Sequence, residues 1–251
     1  MKTAADLLRE VPLLSSDDRA TRARSILRDD QFREALVLDG RGALAGYIDI
    51  SDVLRVDATR SNVTVDGFVR EAPSVSPDAS LERVGALLRQ YRNDSVAVVE
   101  KDGRVLGGVL LSEVFPILLT RHVPRGLVSE LMSRRVVTVE ADNPVSRVLG
   151  LVQESGYTAF PVLKRRSLVG MVSRRDLLAS GRARGQADAK LSVEAVMATP
   201  AITTTPETAV RVAAALICRH DISRLPVVQG DAVVGIIDRH DVLRAIALAT
   251  D

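Results

Sequence analysis

Four glycines, Gly46, Gly107, Gly170 and Gly235, stand 61, 63 and 65 residues apart, and four acids, Asp52, Glu113, Asp176 and Asp241, keep the same steps. Self-similarity at such a period describes a chain of small supersecondary units rather than one large domain. The clearest copy runs from Ser155 to Leu178. Two apolar, β-branched runs, Ala159 to Leu163 and Leu168 to Val172, flank the basic turn Lys164-Arg165-Arg166, and Ser173 precedes Asp176 by three residues ahead of Leu177-Leu178. That pattern is a β-hairpin followed by a capped helix.

The unit returns at Arg224-Leu225-Pro226-Val227-Val228 with Gly235-Ile236-Ile237-Asp238, at Leu36-Val37-Leu38 with Gly46-Tyr47-Ile48-Asp49, and at Ala97-Val98-Val99 with Gly107-Gly108-Val109-Leu110. Ahead of each hairpin lies an amphipathic helix: Ala20 to Leu27; Ala79 to Arg92 with Leu81, Val84, Leu87, Leu88 and Tyr91; the stripe Val145, Val148, Leu149 and Val152; and the stripe Val210, Ala213, Ala214 and Ile217. Apolar residues at that spacing put one face of each helix in the core. From helix start to hairpin the offset is 16 residues in every copy (Ala20 to Leu36, Leu81 to Ala97, Val145 to Pro161, Val210 to Pro226). A short helix is expected over Ala4 to Val11, Val128 to Met132 and Val193 to Met197 open the third and fourth repeats, strands are expected over Val136 to Val139 and Ile202 to Thr204, and a cap at Asp142 ahead of Pro144. Asp57 to Asn62 and Gly181 to Lys190 are polar stretches without apolar periodicity, and are expected to be linkers.

At 251 residues, 46% hydrophobic and 26% charged, the chain is long enough to bury substantial cores. The net charge of +2 and 3% aromatic content argue against a nucleic-acid interface, which wants a basic field and stacking rings. A single cysteine, Cys218, can form neither an internal disulfide nor a thiolate cage, and no leader or apolar run of about 18 residues stands out. The expectation is a cytoplasmic protein. His122, His220 and His240 are not spaced as a metal site, and no nucleophile, base and orienting acid stand in a recognisable arrangement, so no enzyme activity is expected.

Thr138-Val139, Phe160-Pro161-Val162 and Gly170-Met171-Val172-Ser173-Arg174-Arg175-Asp176 resemble the cystathionine-β-synthase (CBS) domain, and the resemblance extends over roughly residues 4 to 249. It implies an α/β (α+β) fold of tandem β-α-β-β-α repeats, at 1–60, 61–124, 125–184 and 185–251, paired first with second and third with fourth into two Bateman modules. In that family the clefts of a module take adenosyl ligands: AMP, ADP, ATP, or S-adenosylmethionine and its relatives. The Asp of the Gly-h-h-Thr/Ser-x-x-Asp motif serves the ribose and the hydroxyl serves phosphate or ribose oxygens. Carried onto this sequence, the resemblance assigns Thr138, Val139, Tyr157, Phe160, Pro161, Ser173, Arg174, Asp176, Thr203, Arg224, Pro226, Asp238 and Asp241 to the ligand. It also implies an apolar helical surface for pairing modules, either the two modules of one chain as a disc or modules of two chains, of which a homodimer is the expectation, and a protein partner not named by the sequence.

The residues leave alternatives open beside that assignment. An ionised Asp at a helix start accepts from a vicinal diol, but it also stabilises its own first turn. Only the third repeat has both the hydroxyl and the acid, Ser173 and Asp176. The fourth offers Asp238 with Asp241, the first Asp49 with Asp52, and the second Leu110 with Glu113. A carboxylate at the phosphate-facing position repels a nucleotide. Arg224, whose counterparts are Ala159, Ser95 and Glu34, either receives a phosphate or pairs internally with Asp238. Two readings of function follow: an adenosyl-ligand sensor acting on a partner, with its site in the second half, or a scaffold of CBS modules whose clefts stay empty.

Overall fold

The computed structural model describes residues 2–29, 32–54, 62–179 and 191–248. Both expected linkers lie almost wholly outside these residues. The chain divides into two compact units, Met1–Pro124 with Leu243–Asp251, and Arg125–Val242.

The first unit holds two copies of one pattern. In the first copy β1 (Leu13–Ser15) leads through α1 (Ala20–Asp29) to β2 (Glu34–Leu38), β3 (Leu44–Asp49) and α2 (Ile50–Leu54). In the second, β4 (Ser74–Val75) leads through α3 (Leu81–Tyr91) to β5 (Ser95–Val99), β6 (Val105–Leu110) and α4 (Leu111–Arg121). Each opening strand lies parallel to the second, as a strand-helix-strand crossover requires, and the second and third form an antiparallel hairpin.

The second unit repeats the pattern. After a single turn, α5 (Val128–Leu131), come β7 (Val139–Glu140), α6 (Val145–Ser155), β8 (Ala159–Lys164), β9 (Ser167–Ser173) and α7 (Arg174–Ala179). Then follow α8 (Val210–Arg219), β10 (Arg224–Gln229), β11 (Ala232–Asp238) and the start of α9 (Arg239–Arg244), within which the unit ends at Val242. The fold is therefore mixed α/β with small sheets, among the described residues three mixed sheets of three strands and one antiparallel pair.

The expected stripes are largely buried, with Tyr91 and Leu149 only half-buried. Val145, Val148 and Val152 of α6 and Val210, Ala213, Ala214 and Ile217 of α8 are each at most 4% exposed. They pack beneath sheets whose inward residues include Phe160, Val162, Leu225 and Val227, all at 0%. Burying each such side chain contributes about 1.5–3 kcal/mol against the unfolded chain. In the first unit Leu14, Leu27, Val37, Ile48, Ile50 and Val65 form one such cluster.

Several local expectations are corrected. Ala4 to Val11 is a single 3₁₀ turn, Ala4–Leu7, followed by extended chain. Strand Ile202 to Thr204 shrinks to one parallel bridge, Thr204 to Val227, and the strand over Val136 to Val139 is only Val139–Glu140. The reason is shared: the chain ahead of each opening strand pairs with the sister repeat instead, through Arg9 with Gly108, Arg70 with Tyr47, Ser133 with Ile236, and Ala198 with Met171. Asp142 does not cap α6. Pro144 holds the N-cap position, and the Val145 N–H donates to the Leu191 carbonyl at 2.8 Å. Ala20 and Val210 donate in the same way to Val63 and Gly126. Backbone of the sister repeat thus satisfies helix-start donors that a side chain would otherwise cap.

Candidate functional site

The period-setting glycines mark where sister repeats touch. A Cβ on Gly170 would lie 2.7 Å from the Ala198 carbonyl oxygen and 2.8 Å from the Met197 sulfur, and one on Gly235 would lie 2.6 Å from the Met132 sulfur and 3.1 Å from the Ser133 oxygen. Gly46 and Gly107 meet the Arg70 and Arg9 carbonyls in the same manner. Each motif therefore sits directly beneath the segment that enters its sister repeat.

Strand register places the rest. The first residue of each second strand lies opposite the polar position of the motif: Glu34 with Asp49, Ser95 with Leu110, Ala159 with Ser173, Arg224 with Asp238. In the second unit the Ser173 backbone N–H and Oγ–H donate to Asp176 Oδ2 at 2.7 and 2.6 Å, and the Asp176 N–H returns to Ser173 Oγ at 3.3 Å. Asp238 and Asp241 repeat this exchange, the Asp238 N–H giving to Asp241 Oδ2 at 3.1 Å and the Asp241 N–H to Asp238 Oδ1 at 2.9 Å. Both acids therefore close the first turn of their helices. The Arg224 guanidinium reaches into the sister repeat, donating to Thr158 Oγ1 at 3.1 Å.

The other expected residues divide by burial. Phe160 and Val139, at 0% and 3% exposed, have their side chains in the core rather than open to a ligand. Alternation along the strands puts Pro161 and Pro226 on the opposite face, where both are also buried. Thr138 and Thr203 are half-buried just ahead of the opening strands, Tyr157 is 40% exposed, and Arg174 is buried at the start of α7 with its backbone N–H on the Thr158 carbonyl.

In the first unit the corresponding acids are held by arginines. Arg70 donates to Asp52, and Arg9 donates to Glu113 through Nε and Nη2 at 3.2 and 2.9 Å. These arginines occupy the crossing segments, at positions filled by Ala198 and Ser133 in the second unit. Arg33 donates to Asp49 at 2.7 Å; burial opposes its charge, but Asp49, Asp94 and Glu34 outweigh that and hold the guanidinium protonated more strongly than usual. Glu34 accepts from the Asp94 and Ser95 backbone N–H groups at 3.0 and 3.2 Å and from Ser95 Oγ at 3.1 Å. The same junction thus presents a cation in the second unit and a carboxyl in the first.

A model of the CBS domain family matches residues 4–59, 65–118, 128–182 and 193–248. The chain belongs to the CBS-domain family. An uncharacterized protein of Methanocaldococcus jannaschii is 36% identical over 121 residues, 47% of this chain and 43% of that protein. A second from the same organism is 22% identical over 258 residues, 96% of this chain and 61% of that protein. This chain thus spans less than two thirds of the length of either. Among solved structures, a proposed archaeal homologue of γ-AMPK from M. jannaschii aligns over 97% of this chain and 99% of its own, with a TM-score of 0.71 at 16% identity. An uncharacterized conserved protein from Pyrococcus horikoshii covers the same shares with a TM-score of 0.64 at 21% identity. At these identities the likeness is one of fold.

Within that CBS fold, sequence reasoning passed over Arg9, Arg70, Arg33 and Thr158. Arg9 and Arg70 stand 61 residues apart, the step of Gly46 to Gly107, so the period itself carried a signal for them. Among the described residues no helix is long and apolar enough to cross a membrane, and no group of three or more His, Cys, Asp or Glu could hold a metal.

Proposed function

We propose that this protein is a non-enzymatic regulatory sensor that binds an adenosyl ligand (AMP, ADP, ATP or S-adenosylmethionine) at the repeat junction of the second unit and passes the resulting change to a protein partner. The observation that carries this reading is Arg224, a guanidinium directed across the junction at Thr158, where the first unit has Glu34. A phosphate or carboxylate of a ligand can take the place of the Thr158 hydroxyl on that guanidinium and gain two parallel charge-assisted bonds. Ser173 and Asp176 would serve the ribose; Asp241 would do so in the sister position, with Asp238 disfavouring phosphate there. Thr138, Thr203, Tyr157 and the backbone around Phe160, Pro161, Arg174 and Pro226 would line the approach, with Val139 backing it. Such a ligand acts as a switch only through unequal affinity for two packings of the paired repeats. Cytoplasmic location and a homodimer formed through the helices that follow the motifs complete the proposal.

The scaffold reading keeps one specific support: Arg70 on Asp52 and Arg9 on Glu113 close the first unit's motifs internally. We therefore assign the first unit the architectural part. Calorimetric titration of the full chain with AMP, ATP and S-adenosylmethionine tests the proposal. Saturable binding of at least one is expected, and absence of heat and of thermal stabilisation at millimolar concentrations of all three would leave the scaffold reading alone.

A further inference from the structure

We propose that the buried Glu34 carboxyl is a proton-dependent latch between the two repeats of the first unit, tight when it carries a proton and loosened when it ionises. The inference is independent of ligand binding in the second unit. Among the described residues, five of the eight buried polar side chains, Glu34, Asp49, Ser51, Asn93 and Ser95, come from three short stretches of this unit. They surround the start of β2, where Glu34 crosses to the backbone and hydroxyl donors of Asp94 and Ser95. These contacts add a buried polar link to repeats that are also joined by backbone bridges and by the Arg9–Glu113 and Arg70–Asp52 pairs.

The charges facing Glu34 favour its neutral form. Asp49 lies directly across the strand register, Asp94 flanks it from the segment before β5, and the nearby guanidinium, Arg33, donates to Asp49 rather than to Glu34. Burial, then the charge of Asp94, with Asp49 adding to it, push the carboxyl up to about 7 from 4.5, against the pull of the Asp94 N–H and the Asn93 side chain. A second observation supplies the place for the proton. Asn93 is 2% exposed, its side chain hydrogen-bonds Glu34, and its Oδ1 is buried without a donor among the described residues. A neutral carboxylic acid has one O–H to give, and half a turn of the Asn93 amide presents that oxygen to it. Ionised Glu34 leaves both the surplus charge and the unfilled acceptor in place.

The sign follows from linkage. Because the folded-state value is raised, the contribution is fully present below about pH 4.5 and is lost as pH rises through about 7. Across that interval the opening equilibrium of the junction shifts by roughly a hundredfold toward the open form.

The test uses the full chain. Carbon-13 NMR of the glutamate carboxyls is recorded from pH 4 to 8.5, with the Glu34 signal identified by its absence in Glu34→Gln. A midpoint near 7 is expected, and a midpoint below 5 would overturn the proposal. Hydrogen exchange at the Asp94 and Ser95 amides, corrected for intrinsic rate, should lose protection between pH 5.5 and 8 in the natural chain. In Glu34→Gln, whose amide mimics the protonated acid, protection should stay constant; an equal loss in both proteins would also overturn it. If Glu34→Gln fails to fold, the glutamate carboxyls of the natural chain decide alone: a signal with its midpoint near 7 supports the latch, and none above 5 overturns it.

Discussion

Adding one methyl group to Gly170 and to Gly235 should have different consequences, although the two glycines occupy the same place in sister repeats. At Gly170 the new Cβ would stand 2.7 Å from the Ala198 carbonyl oxygen, where ordinary contact begins near 3.4 Å. That oxygen is fixed by the Met171 N–H at 2.9 Å, and the Ala198 N–H returns to the Met171 carbonyl at 2.8 Å, so the crossing segment cannot retreat without stretching both bonds. Two weakened hydrogen bonds at about 1 kcal/mol each, added to overpacking of about 1–3 kcal/mol, predict a loss of about 3–5 kcal/mol for Gly170→Ala. At Gly235 the nearest atom is the Met132 sulfur at 2.6 Å, the end of a flexible side chain, and the Ser133 oxygen at 3.1 Å needs to give only a few tenths of an ångström. Thioether adaptability and the lower entropy of the unfolded Ala chain offset most of that, so Gly235→Ala should cost about 1 kcal/mol. Both sites lie in the unit Arg125–Val242. Urea unfolding followed by circular dichroism, with m-values compared, reads the two variants on the same transition. Equal costs, or a greater cost at Gly235, would refute the idea that the crossing backbone is what each glycine accommodates.

Arg70→Ala removes the half-exposed partner of Asp52, whose side chain is only 12% exposed and whose Oδ2 has no partner among the described residues. The pair itself is worth about 0–1 kcal/mol, but the stranded carboxylate raises the expected loss to about 2 kcal/mol; unchanged urea stability of the first unit would contradict the clamp. Arg165 and Arg166 form the two-residue β8–β9 turn with φ of 52° and 71°, a left-handed pair that suits Asn-Gly. Relief of left-handed strain against added unfolded-state entropy predicts that Arg166→Gly gains about 0.5 kcal/mol, and a clear fall in melting temperature would count against that turn.

The architecture was legible because it rests on local patterns. Alternating β-branched runs marked the hairpins, 3.6-residue stripes marked α3, α6 and α8, and the 61, 63 and 65 residue steps tied them into repeats. What failed was whatever depended on the sister repeat. Asp142 looked like a cap, yet the Leu191 carbonyl takes the Val145 N–H. Ile202 and Thr203 looked like strand, yet only Thr204 pairs, because the chain just before is committed to Met171. The asymmetry between the halves was visible in Leu110, Glu34 and Arg224, but the arginines on Asp52 and Glu113 were not. Their partners lie 18 and 104 residues away, and nothing in an apolar pattern links a guanidinium to a carboxylate at that separation. The motif acid Asp176 was legible both in its family role and as a stabiliser of its own first turn, and the reciprocal bonds with Ser173 display the second of these.

The account turns on the second unit holding the ligand site, and binding by matched variants tests this most directly. Affinity for AMP, ATP and S-adenosylmethionine is measured by calorimetry on the natural chain, Asp176→Ala and Asp52→Ala, with folding of each checked by circular dichroism. Loss of a charged acceptor for ribose predicts that Asp176→Ala weakens binding by about 1.5–3 kcal/mol, whereas Asp52→Ala leaves affinity unchanged. Binding abolished in Asp52→Ala and intact in Asp176→Ala would place the site in the first unit and contradict the account.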